Sequence, residues 1–253
     1  MIVGIPPYLL LLIAVLLIYL LDCVVVLYSN EAIVKPQDSG WEVEFGSRQT
    51  WIAGKRIYLL NPFTPLAARY RAHWRVTEGL ARVDEGALAR CARHLALLAT
   101  LDVPIRATAW VVLIVLPVAM LLWGPIGFLA GAAAAWAVVI LLLVRFYSCR
   151  GELELGWGEF LLIAFECLAC PPCAVNLLRK LSLRYRMDVD LLSLRDGMPD
   201  NRAAVLLDRI GEHTDAHLTM MDDDTPEYAR TRTWRGLLQR EHSRLIAGNE
   251  EST

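Results

Sequence analysis

Recognisable catalytic motifs are absent from this 253-residue chain. It has no G-x-x-x-x-G-K-[ST] phosphate loop, no G-x-G-x-x-G loop after a strand, and no G-x-S-x-G nucleophile elbow. Its net charge is only −2, so no overall field favours binding to nucleic acid or another polyanion. We therefore expect a protein that is not an enzyme and does not bind nucleic acid.

Charged residues avoid three long apolar runs, in a chain that is 56% hydrophobic. These runs cover residues 7–28, 107–123 and 126–147. About twenty apolar residues in a helix match the roughly 30 Å hydrocarbon core of a bilayer. The pattern predicts a mainly α membrane protein with three transmembrane helices, the last two joined as a tight hairpin through Gly124 and Pro125.

Basic residues are missing before the first apolar run and in the turn of the hairpin. They are frequent between residues 29 and 106 and again from Arg145 onward. Lysine and arginine concentrate on the cytoplasmic side of membrane proteins. We therefore place the protein in a bacterial inner (plasma) membrane, with its N-terminus outside and its C-terminus in the cytoplasm.

The alternation of apolar and polar segments predicts five regions along the chain. Residues 1–28 are an N-terminal transmembrane anchor, and residues 29–104 are a small α+β cytosolic unit with a short β-meander followed by amphipathic helices. Residues 105–147 are the transmembrane hairpin. Residues 148–186 are a re-entrant or interfacial segment with a cysteine cluster and a basic stretch, and residues 187–253 are a cytosolic helical tail.

Three cysteines stand at intervals of three in the stretch ECLACPPCAVN, at positions 167, 170 and 173. With Cys149 they offer four thiols for zinc or an iron–sulfur cluster. However, the fourth cysteine of the ferredoxin spacing is missing, and no histidine is nearby. We therefore expect no cofactor, and interpret these cysteines as small side chains packed in an apolar element.

The segment that contains these cysteines is too short to cross a bilayer unless it extends to Leu178. Such an extension would carry the basic stretch after it to the outer side, against the charge rule. A re-entrant or interfacial helix avoids this conflict. The basic side chains that would then contact lipid headgroups are Arg179, Lys180, Arg184 and Arg186.

Two features of the apolar runs suggest how helices pack. Gly127, Gly131 and Ala135 repeat at four-residue steps, a pattern that allows close helix–helix approach. Asp22 is a carboxylate inside the first run, and an intramembrane acid is a candidate functional residue. We expect it to form a structural ion pair with Arg106 or Arg145.

His213 and His217 fall on one face of a predicted helix, followed by Asp222, Asp223 and Asp224. They are candidate metal ligands, but the H-E-x-x-H order of a zincin protease is absent. A solvated helix face is the simpler interpretation.

The sequence as a whole favours an integral membrane anchor or accessory subunit. It would present its cytosolic parts to a protein partner in a membrane complex, including the immunity-type proteins that protect a membrane. Membrane lipid and other protein subunits, or further copies of the chain, are the expected partners. The alternative is a metal- or redox-dependent membrane enzyme that uses Cys167, Cys170 and Cys173.

Overall fold

The computed structural model describes residues 7–37, 40–46, 51–52, 55–76 and 85–250. Parts of the predicted regions, including residues 1–6 and 77–84, lie outside the described residues. The helices are α1 (Pro7–Leu21), α2 (Glu85–Ala99), α3 (Asp102–Trp110), α4 (Leu116–Cys149), α5 (Trp157–Ala169), α6 (Pro171–Val175), α7 (Leu177–Arg184), α8 (Asp200–Leu218) and α9 (Pro226–Glu250). A π-helical turn (Val111–Val115) joins α3 to α4, and a 3-10 helix (Leu191–Gly197) precedes α8.

The strands form two sheets. They are β1 (Val24–Leu27), β2 (Glu31–Gln37), β3 (Gly40–Glu44), β4 (Trp51–Ile52), β5 (Lys55–Leu59), β6 (Tyr70–His73) and β7 (Arg186–Asp190). The three-stranded sheet has the order β1-β5-β4, and the four-stranded sheet has the order β3-β2-β6-β7. Strand β2 pairs antiparallel with β3 and β6, whereas β6 and β7 are parallel.

The prediction of three transmembrane helices is wrong. Within the described residues, one helical stretch, Asp102–Cys149, is long and apolar enough to cross a membrane by length and composition. The first apolar run does not continue as a helix to residue 28, because α1 ends at Leu21 and the chain enters β1. The reason is local: consecutive valines at 24–26 favour a strand over a helix.

The chain reverses direction inside Asp102–Cys149 at Gly124, where φ is +55° and ψ is −131°. A residue with a side chain rarely adopts this conformation, so glycine is required there. A Cβ atom on Gly127 would lie 1.9 Å from the carbonyl oxygen of Ala119. On Gly131 it would lie 2.7 Å from Leu116 Cδ1. The two arms of this stretch therefore pack against each other as an antiparallel pair.

The predicted β-meander is also corrected. The expected first strand, β3, belongs to the four-stranded sheet, and the expected second and third strands, β4 and β5, pair in the other sheet. Since β7 pairs with β6, the start of the predicted helical tail is part of a sheet. Helices α8 and α9 lie where amphipathic periodicity predicts two helices.

The chain forms two compact units. Unit 1 comprises residues 1–25, 59–68 and 92–183, and unit 2 comprises residues 26–58, 69–91 and 184–253. In unit 1, α5 runs antiparallel to the second arm of the hairpin. Phe160 stacks near Phe146 with ring centroids 5.2 Å apart, and the Trp136 indole donates to the Leu168 carbonyl oxygen at 2.9 Å.

Candidate functional site

A polar cluster lies inside unit 1, around Lys180 at the start of α7. The Lys180 Nζ atom is 2.9 Å from Asp22 Oδ1 and 2.6 Å from Glu166 Oε1. The side chains of Lys180 and Asp22 are each only 16% exposed. One ammonium group therefore bridges two carboxylates that come from the end of α1 and from α5.

The partner of Asp22 differs from the one that we predicted. Lys180 replaces Arg106 and Arg145, and Arg106 instead pairs with Asp102 one helical turn away, at 2.7 Å. Asn176 completes the contacts of Asp22, because its Nδ2 atom donates to Asp22 Oδ2 at 3.0 Å. Asn176 is 1% exposed, and its Oδ1 atom has no hydrogen-bond partner among the described residues.

Arg179 is buried next to this cluster, with 1% of its surface exposed. Its Nη2 atom donates to the Asn61 carbonyl oxygen at 2.7 Å, and its Nε atom donates to the Thr64 carbonyl oxygen at 3.1 Å. Its Nη1 atom donates to Cys23 Sγ at 3.2 Å. The loop after β5 thus supplies two main-chain acceptors to the buried guanidinium, in agreement with the rule that buried charges are hydrogen-bonded.

These positions correct the headgroup assignment for part of the basic stretch. Arg179 and Lys180 are used inside the protein, so the predicted contact with lipid headgroups does not describe them. Arg184 is exposed at the end of α7, where a headgroup contact stays a prediction. Arg186 begins β7, and its side chain lies outside the described parts of the structure.

The structure brings together two of the four candidate cysteine ligands. Cys170 Sγ and Cys173 Sγ are 3.1 Å apart, whereas Cys149 Sγ lies 3.5 Å from the hydroxyl of Thr100. Cys167 is buried, with 1% exposed. A tetrahedral zinc site or an iron–sulfur cluster needs four such ligands together.

Among the described residues, a different set of ligand atoms comes together. One atom each from Asp22, Glu166 and Cys173 lie within 4.8 Å of one another. The ammonium of Lys180 already contacts both carboxylates. This arrangement holds a cationic side chain, and the donors do not fit a divalent metal while Lys180 occupies their centre.

His213 lies in the interior of unit 2. Its Nε2 atom is 2.9 Å from Arg56 Nη1, and its ring stacks on Phe45 with centroids 4.8 Å apart. Because a guanidinium only donates, His213 Nε2 accepts this hydrogen bond, which assigns the proton to Nδ1. The lone pair that would bind a metal is thus in use, and His217 stands one turn further along α8.

A groove of about 680 Å³ runs along unit 2. Its first wall includes three consecutive residues of β3, Trp41, Glu42 and Val43. Because alternate residues of a strand point to opposite faces, consecutive lining residues mean that the groove follows the strand edge. The second wall is one face of α8 and the residues before it: Met198, Asn201, Arg202, Val205, Leu206, Arg209 and His213.

β3 is the terminal strand of its sheet, so no strand among the described residues pairs with its outer edge. Trp41 and Val43 give the groove an apolar component. Arg202 and Arg209 line it with exposed basic side chains, and Arg209 also pairs with Glu212 at 3.4 Å. Glu42 is already paired, through Lys35 at 3.2 Å and Gln37 at 2.6 Å. The groove therefore combines an open backbone edge with a basic rim.

The chain matches no family model, and no curated protein or solved structure is similar to it. Its own geometry is therefore the basis for a functional proposal.

Sequence reasoning did not find the Lys180 cluster or the groove. One signal was available for the cluster: lysine occurs only at positions 35, 55 and 180 in an arginine-rich chain. A compact ammonium suits a position between two carboxylates better than a planar guanidinium does. The groove left no comparable signal, because its walls are formed by strands and helices distant in sequence.

Proposed function

We propose that the protein is a membrane-embedded accessory subunit whose unit 2 binds a peptide segment of a protein partner along the edge of β3. The groove of unit 2 is the observation that carries the proposal. An extended peptide adds to an open strand edge through backbone hydrogen bonds, while side-chain pockets give specificity. Arg202 and Arg209 select a segment with acidic side chains, and Trp41 and Val43 select apolar ones.

The surface of unit 1 supports the membrane part of this proposal. Only 33% of the most apolar 18-residue segment of Asp102–Cys149 is buried, whereas the core helix of a soluble protein is mostly buried. Large apolar side chains cover the outward faces of α1, the hairpin and α5, among them Leu17, Leu121, Leu129, Leu141, Leu161 and Phe165. Continuous apolar surface on this scale marks a contact with lipid or protein.

The distribution of basic residues supports a bacterial inner membrane location with the C-terminus in the cytoplasm. Arg106 and Arg145 stand near the two ends of the hairpin, and its turn at Gly124 and Pro125 has no basic residue. A reporter that is active only in the cytoplasm, fused after residue 253, is expected to be active. Activity of that reporter only when the fusion is placed in the turn would contradict the orientation.

Site-specific photo-crosslinking tests the docking groove. A photoreactive amino acid at Val205, which lines the groove and is 60% exposed, should give a discrete adduct with a membrane protein in intact cells. The matched control is Asp208, which is exposed on α8 but does not line the groove. Equal adducts at both positions would exclude a specific groove, and an adduct with a second copy would assign the groove to self-association.

Charge reversal sharpens this test. The double variant R202E/R209E should reduce the Val205 adduct about tenfold, because two cationic contacts to an acidic segment become repulsive. The control is R230E/R232E, which changes charge equally on exposed positions of α9 outside the groove. An adduct that survives R202E/R209E would show that acidic side chains are not what the groove recognises.

A further inference from the structure

We propose that Cys170 and Cys173 are a redox-active dithiol that closes reversibly to an intramolecular disulfide. Their sulfur atoms are 3.1 Å apart, about 1 Å longer than the roughly 2.05 Å of a disulfide bond. The two prolines between them restrict the backbone of this turn, because each proline fixes its φ angle. The pair is therefore held close to the bonded geometry before any oxidation takes place. This inference does not depend on the proposed partner groove.

The two cysteines differ in exposure in a way that assigns their roles. Cys170 is partly exposed, whereas Cys173 is 7% exposed. The Cys173 thiol donates a hydrogen bond to the Cys170 sulfur. Cys170 is thus the attacking sulfur that an external disulfide can reach, and Cys173 is the resolving sulfur.

Groups that can accept the thiol proton of Cys173 are adjacent to it. Carboxylate oxygens of Asp22 and Glu166 lie within 4.8 Å of its sulfur atom. Lys180, which contacts both carboxylates, limits the build-up of negative charge when Cys173 loses its proton. The polar cluster of unit 1 thereby gains a chemical role next to the dithiol.

The oxidant in this scheme is a low-molecular-weight disulfide. The Cys170 thiolate attacks one of its sulfur atoms, which forms a mixed disulfide and releases the first thiol. Cys173 then transfers its proton to a neighbouring carboxylate and attacks the Cys170 sulfur, which releases the second thiol. Two electrons pass from the two cysteines to the external disulfide, and their two protons finish on the two released thiols.

The other four cysteines are expected to stay reduced, so they are internal controls for the oxidation of Cys170 and Cys173. Cys23 accepts from Arg179 and Cys149 contacts Thr100, so neither has a sulfur partner in the described residues. Cys91 is fully buried, so an external disulfide does not reach its thiol. Cys167 stands one helical turn before Cys170 and is the closest competitor for it in sequence.

Alkylation and mass spectrometry of the full chain in detergent test the proposal. The purified protein is equilibrated in buffers of graded ratios of reduced to oxidised glutathione, quenched with acid, alkylated and digested. We expect the peptide with residues 167–173 to lose two hydrogen atoms and two alkylation sites at the oxidising end, and to recover both under reduction. The C170S and C173S variants should lose this behaviour, and C167S should keep it.

A trapping experiment gives an independent readout. C173S should accumulate glutathione on Cys170, because the resolving sulfur is gone, whereas C170S should carry little on the buried Cys173. Six alkylated cysteines in the wild-type protein at every glutathione ratio would overturn the proposal. A disulfide that includes Cys167, or survives in C170S, would overturn the assignment of the pair. The wild-type result decides the question even if a variant fails to fold.

Discussion

The two units differ in how many of their large apolar side chains are exposed. In unit 1, leucines such as Leu121, Leu129 and Leu161 are more than half exposed, while Arg179 and Lys180 are drawn into the interior. In unit 2, Val34 and Ile210 are fully buried, and the arginines along α8 are exposed. Apolar side chains leave water wherever they can. Exposed apolar side chains are therefore concentrated on unit 1, which also contains the helical stretch long and apolar enough to cross a membrane.

The units also differ in how far their ion pairs are exposed to solvent. In the Lys180–Asp22 pair both side chains are 16% exposed, whereas Lys35 and Glu42 of unit 2 are 33% and 41% exposed. Glu166, the second partner of Lys180, is 38% exposed. Removing one partner of a buried pair leaves an uncompensated charge, but removing one partner of an exposed pair leaves a hydrated charge. Position, and not the number of ion pairs, decides what each pair contributes to stability.

The largest predicted effect comes from removing the central cation of unit 1. Lys180→Met should lower the free energy of unfolding by about 3–5 kcal/mol, because Asp22 and Glu166 lose their shared partner. Lys35→Met is the matched control in unit 2, and should cost less than about 1 kcal/mol. Denaturant unfolding in detergent measures both variants. Equal losses would refute the contrast between buried and exposed pairs.

A smaller effect is expected from filling the helix contact of the hairpin. Gly127→Ala should cost about 1–3 kcal/mol, because the new methyl group meets the rigid backbone of Ala119. In unit 2, a Cβ on Gly211 would instead meet the flexible end of Arg235, with Cζ at 2.9 Å. Gly211→Ala should be neutral or stabilise by up to about 1 kcal/mol, since alanine favours helix. Thermal unfolding of the two variants distinguishes a backbone contact from a side-chain contact.

The last effect concerns stability in acid and depends on how far the pH is lowered. Burial lowers the pKa of His94 in unit 1 from 6.5 to about 4, so the unfolded chain binds this proton more readily than the folded one. The contribution of His94 is fully present above pH 6.5 and is lost as the pH falls towards 4, by about 1 kcal/mol at pH 6 and about 3 kcal/mol at pH 4. His94→Gln should flatten this part of a melting-temperature profile. A profile of the variant that matches the wild type would show that His94 does not contribute.

Protonation of Asp190 in unit 2 has the opposite effect on stability from protonation of His94. Burial raises the pKa of its carboxyl above 3.8, so the folded state takes up the proton first and gains stability as the pH falls through that range. Acid should therefore weaken the interactions of His94 before it affects those of Asp190. Residue-resolved hydrogen exchange at pH 5 would locate the earlier loss of protection.

Local patterns in the sequence predicted local features. The helical periodicity of α8 and α9 and the four-residue spacing of Gly127 and Gly131 are set by neighbours within a few turns. The same spacing did not identify the partner of these glycines, which the structure places at residues 116–119 of the same chain. Periodicity reports which face is packed, and it does not report what packs there.

Features that depend on distant residues were not predictable in the same way. Asp22 was predicted to be an intramembrane acid paired with Arg106 or Arg145, but its partners Asn176 and Lys180 are more than 150 residues away in the sequence. The apolar run that ends near residue 28 contains both the end of α1 and strand β1. Hydropathy alone does not distinguish an apolar helix from an apolar strand. The three consecutive valines at residues 24–26 favour a strand, but the prediction of a helix was based on hydropathy alone.

The hydrogen bonds from Arg179 to the loop after β5 have an evolutionary consequence. Both of its contacts with this loop are to main-chain carbonyl oxygens, at Asn61 and Thr64. Every amino acid supplies such an oxygen, so residues 61 and 64 can be substituted without loss of these hydrogen bonds. Selection to keep these two contacts therefore acts on Arg179 and not on the identity of the loop residues.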